Sequence, residues 1–235
     1  MSLAVWVRSS NLVIRVIKDN NNKNNLKTKK YSDYYKTPFG NNILEKELMI
    51  LERELQGSRN ILSVGCGAAV HEIQLSISNP DLEIICLDTS KTMLIEAQEL
   101  SKEIKLLQGS AEQLPLKNEF FDCVYFITSF EFIDDTISAL TETLRVLKLG
   151  GKALFLILNS KSWYFQKEYA EADSYITRKI KHLDYLELKQ FITDKLEITS
   201  INYALGIKGD DVFDTEDPKW ASLYVVSALK LEVVT

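Results

Sequence analysis

Several things are scarce in this chain of 235 residues. It has two histidines and three cysteines, and Cys66, Cys86 and Cys123 sit in or beside apolar runs without metal-ligand spacing. A histidine–cysteine metal centre is therefore not expected. Buried, reduced thiols fit a cytoplasmic setting. No apolar run reaches the roughly 18 residues that cross a bilayer, so no membrane partner is expected. The opening MSLAVWVRSS lacks both a basic region and a long apolar core, so no secretory signal is expected. Positive charge is not in excess either: 28 Lys and Arg stand against 33 Asp and Glu, for a formal net charge of -5. That balance argues against nucleic acid as a partner. What remains is ordinary globular material, 46% hydrophobic and 26% charged, long enough for one or two domains.

The chain divides unequally. Residues 1–30 read as a β-hairpin, LAVWV and LVIRVI around RSSN, followed by the Asn/Lys run KDNNNKNNLKTKK, a linker with little to bury. This basic arm could touch an acidic partner or RNA, or serve only as a solubilising tail. Residues 31–235 form the second and main unit. Within it, NNILEKELMILERELQ (41–56) carries leucines 44, 48, 51 and 55 on one helical stripe, with Asn42 as the expected cap and Glu45 completing a capping box.

From Arg59 to about Asn159, apolar runs of strand length alternate with helical periodicity. NILSV, EIICL, IKLLQ, DCVYFIT and KALFLIL are the strands, and the last helix is expected to end at Leu149-Gly150-Gly151. Near-continuous apolar strands indicate a sheet covered on both faces, and strand–helix alternation indicates parallel pairing. The fold class is thus α/β, doubly wound, with helices on both faces. LEITSINYALGI and WASLYVVSALKLEVV, joined by an acidic loop, are two further strands that should pair as a hairpin.

Ligands in such sheets bind at the carboxyl ends of the strands. Gly65 and Gly67 lie just past the first strand, where a side chain would block an approaching ligand. Asp88 ends the second strand, 21 residues after Gly67, and can accept both hydroxyls of a ribose; the alternative is a helix-start acid. GSAEQLPL (109–116) is a small-residue turn past the third strand that can pass under a purine ring. A dinucleotide site needs a third glycine where Val70 stands. S-adenosylmethionine, which has adenosine and no phosphate, is the better match.

In ILSVGCGAA, ICLDTSKTMLIEA, GSAEQLPLKNEFFDCVYFITSFEFIDD and LRVLKLGGKALFLIL the chain resembles the class I S-adenosylmethionine-dependent methyltransferases, of the small-molecule type similar to the ubiquinone-biosynthesis enzymes. The resemblance covers about residues 31–232. It implies a Rossmann-like sheet of seven strands, the last antiparallel, and in-line methyl transfer to a small-molecule acceptor. It also implies cofactor contacts at Tyr34, Ser63, Gly65, Cys66, Gly67, Asp88, Thr89, Met93, Ser110, Ala111, Glu112 and Ile127. The candidate bases are Glu131 and His182, and residues 161–182, rich in aromatics, fall at the substrate-lid position. No NPPY-like motif for amino methylation of bases is present.

There are departures. The family usually has an acid where Ser63 stands, a glycine at Ala69 and an acid at Ser110. Glu72, in the first turn of the next helix, either substitutes for the acid missing at Ser63 or is simply solvated. A non-catalytic cofactor-binding or scaffold protein of the same fold, and an RNA methyltransferase, remain as alternatives. The oligomeric state stays open.

Overall fold

The computed structural model describes residues 31–170, 175–182, 189–190, 192 and 196–231. The expected hairpin and linker of residues 1–30 and the lid residues 171–174 lie outside the described residues.

The helix expected at 41–56, α1, spans Pro38–Glu54. Its N-cap is Thr37, whose Oγ1 accepts from Gly40 N at 3.0 Å, with proline at the first helical position. Proline fixes φ for that position and needs no backbone partner there. This is why the start falls earlier than the Asn42 expectation.

Eight strands follow: β1 Asn60–Val64, β2 Glu83–Asp88, β3 Lys105–Gln108, β4 Phe121–Ile127, β5 Leu147–Leu158, β6 Glu197–Lys208, β7 Asp211–Phe213 and β8 Ala221–Leu229. Their order in the sheet is β3-β2-β1-β4-β5-β8-β6-β7. β1 to β5 pair in parallel, and β8 runs antiparallel between β5 and β6. The expected seven strands are all present. The eighth, β7, is a three-residue edge strand inside the acidic loop, paired with the end of β6.

The connecting helices are α2 Val70–Ser78, α3 Lys91–Leu100 and α4 Thr136–Val146. Helix α4 stops at Val146, short of Leu149, because residues 147–149 already belong to β5. Side chains alternate across the strands. Leu62, Val64, Phe126 and Phe155 pack with Ala139 and Leu140 of α4. Ile61, Cys86 and Leu156 pack on the other face with Leu51 of α1, Leu75 of α2 and Leu94 of α3. The sheet is therefore covered on both sides, and a wide opening lies at the strand carboxyl ends, where β1 and β4 diverge to opposite crossovers.

Candidate functional site

A cleft of about 860 Å³ opens there. Gly65 (φ +77°) and Gly67 (φ +56°) turn the chain out of β1 in the left-handed region that glycine tolerates. A Cβ at Gly65 would come within 2.5 Å of Ser129 Cβ, whereas one at Gly67 would meet nothing nearer than Tyr31 at 3.7 Å. Gly65 is thus needed for packing, and Gly67 leaves space on the cleft side. Ala69 also takes a left-handed conformation (φ 53°) at the α2 N-cap, so the turn keeps its shape without the third glycine.

Asp88 ends β2 on the cleft wall. Its Oδ2 accepts from Gly67 N at 2.8 Å and its Oδ1 from Ser90 N at 2.7 Å. It therefore braces the glycine turn as well as facing the cleft. Burial raises its pKa, the two backbone bonds oppose this, and the field of Glu72 adds to the rise. Thr89, Ser90 and Met93 extend this wall. Past β3, Gly109, Ser110, Ala111 and Glu112 form a third edge, with the Ser110 hydroxyl donating to the Glu112 carboxylate. Past β4, Thr128 and Ser129 close the floor, and Thr128 sits at φ 40°, a strained setting for a β-branched residue.

Of the residues expected to hold a cofactor, Tyr34, Gly65, Gly67, Asp88, Thr89, Met93, Ser110, Ala111 and Glu112 line this cleft. Ser63, Cys66 and Ile127 do not; with Gly65 they line a separate small hollow beneath the turn.

The two candidate bases are displaced from the cleft. Glu131 is fully buried, and its Oε1 accepts from Leu158 N at 2.9 Å. Desolvation pushes its carboxyl up to about 7. His182 places Nε2 3.0 Å from the Ile133 carbonyl. Neither lines the cleft: Glu131 sits in a short helical turn that directs its side chain back toward the end of β5. Of the two expectations for Glu72, solvation does not hold. The residue is 1% exposed, with Oε1 accepting from Ser63 Oγ at 2.6 Å and from the Tyr125 hydroxyl at 2.8 Å.

The far side of the cleft is aromatic. Tyr31, Tyr34 and Tyr35 come from the turn before α1, and Tyr164, Phe165 and Tyr169 from the segment after β5. Phe39 bridges them, its ring centroid 6.3 Å from Tyr34 and 6.2 Å from Tyr164. Trp163, by contrast, turns away to pack on Trp220 at 5.8 Å.

Among these tyrosines lies a pair that the sequence reading passed over. Glu47 of α1 lines the cleft, and its Oε2 is 2.7 Å from His71 Nε2. Both residues are buried. Burial works against the His71 charge, but the bond to Glu47 and the fields of Glu47 and Glu72 outweigh it, and its pKa is raised. The available signal was the position of Glu47 on the buried stripe of α1, between Ile43 and Ile50. Among the described residues no group of three or more His, Cys, Asp or Glu is arranged to hold a metal ion.

The donor set suits an adenosine bearing no phosphate. A carboxylate meets the ribose position, an apolar methionine and small-residue turns flank the ring position, and the amino end of α2 carries an acid, Glu72, where a phosphate would be repelled.

Comparison with known proteins agrees with this geometry. Residues 62–155 match the family described as "Methyltransferase domain". The demethylmenaquinone methyltransferase of Staphylococcus carnosus is 38% identical over 118 residues, 48% of each chain. The chain thus spans about half the length of that curated relative. An uncharacterized protein of Methanocaldococcus jannaschii is 29% identical over 166 residues, 69% of this chain and 75% of that one. Among solved structures, a SAM-dependent methyltransferase of Thermotoga maritima, titled a possible histamine N-methyltransferase, superposes with a TM-score of 0.72 at 20% identity, covering 88% of this chain and 97% of its own.

Proposed function

We propose that this chain, whose residues 62–155 match the family described as "Methyltransferase domain", is an enzyme that transfers the methyl group of S-adenosylmethionine to a small molecule. The observation that carries the reading is the cleft. The glycine turn, Asp88 and the Ser110–Glu112 turn converge on one side of it, and a tyrosine wall faces them from the other.

Asp88 holds the ribose hydroxyls, Met93 and Leu87 flank the adenine, and Ser110 to Glu112 follow its edge. Bound there, the cofactor supplies an electrophilic methyl on a sulfonium. The protein's work is to hold the acceptor in line and exclude water. Tyr34, Tyr35, Tyr164 and Tyr169 shape the acceptor side. Glu47, tied to His71, takes the proton that a hydroxyl or amine acceptor gives up on methylation. Residues 31–235 act as the catalytic unit, and 161–182 as its lid. The enzyme works in the cytoplasm, a reading supported by three free thiols. Among the described residues no helix is long and apolar enough to cross a membrane.

The names of the similar proteins, a demethylmenaquinone methyltransferase and a possible histamine N-methyltransferase, support acceptors of modest size. Calorimetry with S-adenosylmethionine tests the first step, and Asp88→Asn is expected to weaken binding at least tenfold, about 1.4 kcal/mol. Asparagine retains an acceptor for one of the two backbone bonds, and circular dichroism checks that the variant is folded. Methyl transfer from labelled cofactor to a panel of quinols, phenols, amines and RNA tests the second. Binding unchanged in the folded variant, or label found only in RNA, would defeat the respective step.

A further inference from the structure

Glu72 occupies the first turn of α2, where a carboxylate ordinarily meets water, yet it is almost wholly buried. Ser63 and Tyr125 both donate to Oε1, which fixes the carboxylate plane. Its Oε2 has no hydrogen-bond partner. None of the ion pairs among the described residues includes Glu72. A buried carboxylate oxygen left bare is costly, and such a group asks for a cation.

Against Glu72 lies the small hollow beneath the glycine turn, with a volume of about 10 Å³. That is near the lower limit for one water-sized group. Ser63, Gly65 and Cys66 supply one wall, His71 and Glu72 another, and Tyr31 and Ile127 the rest. Tyr31 and Gly65 also line the main cleft, so the hollow adjoins it at the end of β1. The hollow is electronegative: the field of Glu72 acts to raise the pKa values of Asp88, Cys66 and His71. Its one basic neighbour, His71, is already bonded to Glu47.

We propose that Glu72 is the anchor for a ligand ammonium in this hollow, the amino group of S-adenosylmethionine, so that a helix carboxylate does the work for which β1 offers only Ser63. This rests on the cofactor reading above and assigns it a residue. Ser63 and Tyr125 are positioning residues, which hold Oε1 of a carboxylate that lines the hollow.

Calorimetry on the full chain decides it with two ligands, S-adenosylhomocysteine and its desamino analogue, which keeps the carboxylate and lacks the amino group. The wild-type protein is expected to bind the first at least tenfold more tightly, about 1.4 kcal/mol. Glu72→Gln keeps an acceptor for Ser63 and Tyr125 and removes the charge. It should weaken S-adenosylhomocysteine at least tenfold and change the analogue less than twofold. Adding Ser63→Asp to that variant returns a carboxylate to the same hollow and should restore the preference. Equal wild-type affinities, or a variant that weakens both ligands alike, would overturn the assignment. Should Glu72→Gln not fold, the wild-type comparison still decides. If the wild-type protein binds neither ligand, the cofactor reading itself falls and takes this one with it.

Discussion

The two glycines of the β1 turn differ in what they do. Both have positive φ, so any side chain there carries a left-handed cost of about 1–2 kcal/mol. At Gly65 the added Cβ also overlaps Ser129 at 2.5 Å. Gly65→Ala is expected to lower stability by about 2–4 kcal/mol, read as a drop in Tm and in the urea midpoint. At Gly67 the Cβ has room against the protein and projects toward the ligand. Gly67→Ala should cost only the backbone share of stability yet weaken cofactor binding tenfold or more. Equal stability losses in the two variants would show that the turn has one role, not two. Glu131 gives a separate expectation. Its carboxyl is raised to about 7 from an ordinary 4.5, so its contribution to stability is present below pH 4.5 and lost as pH rises through 7. Glu131→Gln should remove a decline on the order of 3 kcal/mol across that window, measured by denaturant unfolding at pH 4.5 and pH 8. An unaltered slope would show that other groups carry it.

The elements were legible where one physical demand dominates. Parallel strands covered on both faces need near-continuous apolar runs, and these announced β1, β2, β4 and β5. Gly65, Gly67 and Asp88 were legible as cleft-lining positions because a turn at a strand end restricts the residue type, although Gly65 is required by packing on Ser129. Glu47 and the burial of Glu72 were not, because an acid on a helix reads as solvent-facing until its partners are known. The partner of Glu47 is His71, 24 residues on, and that of Glu72 is Tyr125, 53 residues on. The start of α1 failed on a local point, since Thr37-Pro38 outcompetes Asn42. The turn before α1 also carries a prediction. A Cβ at Gly40 would lie 2.1 Å from the Tyr34 carbonyl oxygen. Gly40→Ala should therefore push the 31–37 segment off the helix. Expected are a loss of about 1–3 kcal/mol in stability, greater tyrosine exposure to a fluorescence quencher, and weaker cofactor binding. A variant as stable as wild type, with tyrosines equally shielded, would show that the segment bends at no cost.

At the scale of the molecule, the cleft is closed by two segments remote in sequence that meet through rings. The tyrosines at 31, 34 and 35 enter from the amino-terminal side, and Tyr164 and Tyr169 from beyond β5, with Phe39 of α1 between them. Aromatic contacts of this kind contribute about 0.5–1.5 kcal/mol each beyond their buried area. A ligand that orders one wall should therefore order the other, because the rings share a partner. Hydrogen exchange with and without S-adenosylhomocysteine tests this. In the wild-type protein the ligand should slow exchange in residues 31–37 and 163–169 together. In Phe39→Ala, protection of 31–37 beside the cofactor should persist while that of 163–169 falls toward the unliganded level. Protection of both segments undiminished in the variant would mean that each wall closes on the ligand independently and that Phe39 only fills space.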